Sequence, residues 1–138
     1  MAITQTTCTS FKVELLTGTH DFSSDVFKIA LYTGDATLGA DTTAYSPTNE
    51  TVASGYTAGG NTLTVSTTPT SSGIIAYISF SNTSWSSALT ARGALIYNSS
   101  KSNKAVAVLD FGADKTSASV FTVTFPAPNQ TSAIVRIS

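Results

Sequence analysis

Short apolar runs that alternate with polar residues, each closed by glycine, proline or asparagine, recur along this chain and leave little room for helices. VFKIALYT, 26–33, sets Phe27, Ile29 and Leu31 against Lys28, Ala30 and Tyr32. VFTVTFP, 120–126, sets Phe121, Val123 and Phe125 against Thr122 and Thr124 before Pro126 stops it. Side chains of a strand point alternately to its two faces, so each run predicts a strand with one face on a core. AIVRIS, 133–138, alternates in the same way, and GIIAYISFSNTSW, 73–85, is apolar on both faces and predicts a central strand. GYTAGGNTLTVS, 55–66, predicts a turn at Gly59-Gly60 followed by a strand with Leu63 and Val65 inward. Serine and threonine make up roughly a third of the residues, and charged residues only 11%. Threonine suits a pleated surface, and both hydroxyl residues compete with a helical backbone for hydrogen bonds.

One short helix is expected, over FKVELLT, 11–17, with Ser10 as its cap and Gly18 ending it in the left-handed region, although the alternation of Phe11, Val13 and Leu15 also fits a strand. The pair LTARGALIYN and KAVAVLDFG, 89–98 and 104–112, predicts two strands joined by an Asn/Ser/Lys turn. Alternation places Arg92 with Thr90 and Asn98 on the more solvated face of the first strand. The expected fold is all-β: one antiparallel β-sandwich, Ig-like or jelly-roll-like, of about seven strands with one short N-terminal helix. Residues 1–10 read as a polar arm free to order on a neighbour, and 11–138 as the sandwich domain. Phe27, Ile29, Leu31, Ile75, Tyr77, Leu95, Val108, Phe121, Val123 and Phe125 are its expected core.

The balance of 7 basic and 8 acidic residues is scattered along the chain. A nucleic-acid surface needs clustered cations, so no nucleic-acid partner is expected. The longest apolar run, IIAYISF, is too short to cross a bilayer, and no membrane partner is expected. MAITQTTCTS lacks a basic and then apolar leader, and a single cysteine fits synthesis in a reducing cytoplasm. The one histidine, His20, reads as a turn residue bonded to nearby backbone. Beside Asp21 it is poorly placed for a triad, no GxSxG elbow is present, and no enzyme activity is expected. Asp35, Asp41 and Glu50 share the long loop 34–50, and Asp110 and Asp114 flank Gly112. None has the spacing of a calcium loop, and one His with one Cys cannot make a common zinc site, so solvated acids and no metal or cofactor are expected. Tyr45, Tyr56 and Trp85 lie near loops, where they either cover the ends of the core or make a stacking platform for a glycan.

HDFSSDVFKIALYTGDATL, GYTAGGNTLT, ARGALIYN and KAVAVLDFG, in that order, resemble blocks of a family of small structural proteins from tailed bacteriophages and prophages. The resemblance extends from about Phe11 to Phe125. It implies a virion component made in the bacterial cytoplasm, and it carries over no catalytic residues. A capsid decoration protein bound in many copies to the outside of the head lattice is the expectation, with the major capsid protein or other virion proteins as partners and self-association on the particle. Tail tube, head–tail connector, fibre-associated protein and host-glycan module are the alternatives. The expected partner contacts are Cys8, Asp35, Asp41, Tyr45, Glu50, Tyr56, Trp85 and Arg92.

Overall fold

The computed structural model describes residues 2–137. Its strands, in chain order, are β1 (Thr6–Thr7), β2 (Phe27–Tyr32), β3 (Asn61–Thr62), β4 (Val65–Ser72), β5 (Ile75–Phe80), β6 (Thr83–Trp85), β7 (Thr90–Asn98), β8 (Lys104–Thr116), β9 (Phe121–Val123) and β10 (Val135–Ile137). A helix, α1 (Thr9–Leu16), follows β1, and a 3₁₀ turn (Ser99–Lys101) joins β7 to β8. A five-stranded antiparallel sheet runs β1-β8-β7-β2-β3; smaller sheets β10-β5-β4 and β6-β9 accompany it. The fold is all-β and sandwich-like, with one short helix.

Both faces of the large sheet are covered, which explains why β7 is buried from Gly93 to Asn98 regardless of alternation. Register puts Phe27, Ile29, Ile96 and Asn98 on one face. There Phe27 stacks on Phe22 at 4.4 Å and meets Phe80 of β5 at 6.0 Å, while Phe11 of α1 packs edge-on against Phe22. On the opposite face Tyr97 stacks on Tyr45 of the 34–50 loop at 4.8 Å, and Ile3 lies so close over Gly93 that a Cβ there would strike it. The solvated face assigned to Arg92 therefore exists only at the start of β7. Arg92 is half-buried and pairs with Asp110 at 3.0 Å, and Asn98 is fully buried.

Three further expectations are corrected. Segment 1–10 is not a detached arm: Thr6 and Thr7 pair with Val108 and Ala107, Ile3 bridges Leu38, and Ile3 and Cys8 are buried. Its isolated apolar residues go inward because an open edge of β8 is there to receive the backbone. Ile75 and Tyr77 are only half-buried. Their strand is central only in the small sheet, and its outer half projects with β4 into solvent, so Ile78 and Phe80 supply the core instead. The other eight expected core residues are buried. α1 starts two residues early with Cys8 at its N-cap, Ser10 reaches the Thr42 carbonyl instead of capping, and Gly18 closes the helix at φ +74°.

Candidate functional site

Glu50 organises the segment that covers the Tyr97 face. Its carboxylate is buried and accepts from the Tyr45 hydroxyl at 2.6 Å, the Tyr56 hydroxyl at 2.6 Å and the Gly59 N–H at 2.8 Å. No ion pair among the described residues involves it. A buried carboxylate needs such donors, because the cost of leaving water is large when nothing replaces the lost hydrogen bonds. The cage also completes the sheet. Beyond the two residues of β3, the edge of β2 is capped by the Leu31 N–H donating to the Tyr56 hydroxyl and the Thr51 N–H donating to the Leu31 carbonyl. Tyr97 donates to the Gly59 carbonyl and Tyr32 to that of Ser46, so four tyrosines and one acid pin residues 45–59 to the sheet. Burial, then the neighbouring Glu50 charge, pushes the Tyr97 phenol up to about 12. Burial raises Tyr32, Tyr45 and Tyr56 too, reinforced by Glu50.

The residues expected to touch a partner are thus split. Asp35 and Asp41 are exposed and line a polar cleft of about 420 Å³ with Tyr32, Thr42 and Ser46. Tyr45 and Arg92 are half-buried. Cys8, Glu50, Tyr56 and Trp85 are buried and unavailable for contact. Burial, then the charges of Asp41 and Glu14, raises the Cys8 thiol to about 11. Trp85 packs between Tyr56 and Phe121, its indole N–H without a partner, so the three rings form no outward stacking platform. The acids do not gather either: among the described residues no group of three His, Cys, Asp or Glu side chains could hold a metal. His20 is bonded to the side chains of Glu14 and Asn98 rather than to backbone.

The surface suited to contact lies mostly elsewhere. β4 and the outer half of β5 form a projecting hairpin, VSTTPTSSGIIAY, exposed on both faces from Thr68 to Ile74, with Ile74 91% exposed near its tip. A signal was present in the run STTPTSSG, whose positions of both parities are polar. Next to β9 an apolar cleft of about 460 Å³ is floored by Leu109, Phe111, Phe121, Phe125 and Ile134. Compared with protein-family models, curated proteins and solved structures, the chain gives no match.

Proposed function

We propose that the chain is a structural protein of a tailed-bacteriophage particle, a decoration protein carried in many copies on the outside of the head lattice, with the major capsid protein as its partner. The observation that supports this reading best is the projecting β4–β5 hairpin. Its outer part, Thr68 to Ile74, has both faces in water and gains little burial within its own domain, so it is suited to gaining burial against something else. Its free edge carries Pro69 and two register irregularities, devices that hinder indiscriminate strand pairing while leaving the Ile74 tip open. Near-neutral charge and a hydroxyl-rich surface suit repeated modest contacts in a symmetric lattice, where many copies make weak binding sufficient. The block resemblance from Phe11 to Phe125 points the same way. The protein acts by binding and not by catalysis.

Imaging of labelled protein on particles tests this. Density at every lattice position of the head is the expected result. A ring confined to the neck or tail would replace decoration with a connector or tail role. Binding of the isolated domain to host glycans, with none to heads, would replace it with an attachment module.

A further inference from the structure

Helix α1 and strand β10 flank an apolar groove of about 540 Å³, with Phe11 and Leu15 on one wall and Val135 and Ile137 on the other. Its lips carry two large apolar side chains left in water, Leu16 at 90% exposed and Ile137 at 53%. A smaller hollow shares Arg136 with this groove and Ile134 with the apolar cleft beside β9, so the three adjoin. In the sheet β10-β5-β4, β10 is hydrogen-bonded to β5 on one side only. The two strands pair without a register shift, and β10 contains no proline, whereas the opposite edge, β4, carries Pro69 and two irregularities. Alternate N–H and C=O groups of such an edge point away from its one neighbour and can pair with another extended chain. Charge narrows the choice of that chain. Four of the seven cations, Lys12, Lys28, Lys115 and Arg136, make no ion pair among the described residues. Lys12 and Arg136 line the groove and Lys115 lines the cleft it leads to, while no described acid lines the groove, the hollow or the cleft. Arg136 Nη1 donates to the Thr131 carbonyl at 2.6 Å, a bond that steadies the side chain and supplies no counter-ion.

We propose that the groove is the docking site for an extended, acidic and apolar segment of a partner protein, which adds to β10 as a further strand. Main-chain bonds to the open edge and burial of alternate apolar side chains against Phe11, Leu15 and Val135 supply the affinity. A carboxylate of the segment, held by Lys12 and Arg136, fixes its register, since the guanidinium fork matches a carboxylate in two parallel bonds. Each feature excludes a different occupant. A helix laid in the groove would leave the backbone groups of β10 unpaired, and an acyl chain would do the same. A basic segment would meet Lys12 and Arg136 with no acid to relieve the repulsion. The inference does not rest on the head-lattice reading, because it concerns the chemistry of the segment and not the particle that supplies it.

The test selects from a library of random displayed peptides on the whole protein. Enriched sequences are expected to alternate apolar residues and to carry aspartate or glutamate. A synthetic peptide of one such sequence should bind and protect the amides of β10 from hydrogen exchange. Arg136 is exposed, so Arg136→Glu should keep the melting temperature of the wild type, yet weaken this peptide at least about tenfold. The same peptide with lysine in place of its acid should bind Arg136→Glu better than it binds the wild type. Should Arg136→Glu not fold, Lys12→Glu, also at an exposed position, carries the same comparison. Failure to enrich any sequence, enrichment of sequences without acids, or protection that leaves β10 unchanged would each overturn the proposal. Binding to phosphatidylglycerol vesicles that Arg136→Glu abolishes, with no peptide enriched, would assign the groove to a lipid surface instead.

Discussion

Glu50 shows how much one residue can hold when its partners come from three places in the chain. Removing it in Glu50→Ala strands two hydroxyls and an N–H in the interior, and a stability loss of about 2–3 kcal/mol is expected in urea unfolding. A loss under about 0.5 kcal/mol would show that water replaces the carboxylate without penalty. The tyrosines of the cage extend this to pH. Their folded phenols ionise above the ordinary value, so the stability they contribute is complete below about pH 10 and declines as pH rises toward and past about 12. Tyrosinate absorbance should therefore appear together with loss of the fold, and ionisation of these phenols in a still-folded protein at lower pH would contradict it. Cys8 follows the same logic. Buried and raised to about 11, it should resist alkylation at pH 8 until the protein unfolds. None of this was legible along the chain, where Glu50 is one acid among several in a loop, because a hydrogen bond between residues 50 and 59 is a product of how the loop is laid down.

The strands were the more legible elements, and their limits follow from what covers them. β9 kept the alternation that predicted it, because it presents one face to the core, whereas β2 is buried on both faces from Ile29 to Tyr32. β7 did not follow alternation either, because the aromatic layer of Phe11, Phe22 and Phe80 seals the Ile96 and Asn98 face that the sequence left looking solvated. β1 was missed altogether: two threonines carry no apolar signal, and they became a strand only because β8 offered an unpaired edge. Deletion of residues 2–8 should accordingly lower stability and expose β8 rather than merely trim an arm, and an unchanged melting temperature would refute this. The turn at Gly59-Gly60 was correctly anticipated, and its physical demand is severe. Gly60 sits at φ +78° with its Cα against the Ile29 carbonyl, so any Cβ would run into that backbone. Gly60→Ala should cost at least about 2 kcal/mol by thermal unfolding, and a neutral result would mean the turn moves aside freely.

At the scale of the whole molecule the hairpin and the weak surface charge carry the functional expectation. Ile74→Asp should leave the melting temperature nearly unchanged, since the residue is 91% exposed, yet lower the occupancy of the protein on particles. Full occupancy by a folded Ile74→Asp variant would remove the hairpin from the contact. Salt at 1 M, where the Debye length falls to about 3 Å, should barely weaken attachment, since no face can build a strong field from 7 basic and 8 acidic residues. Release by salt alone would point to a charged interface. The sequence by itself determined the all-β class, most of the strands, the turn glycines and the main core residues, because alternation and turn chemistry act between neighbours in the chain. Tertiary structure decided which faces were covered, that segment 1–10 docks, and that Cys8, Glu50, Tyr56 and Trp85 turn inward. Those outcomes depend on which distant segment reaches a given edge or face first to satisfy it, and no local pattern records that meeting.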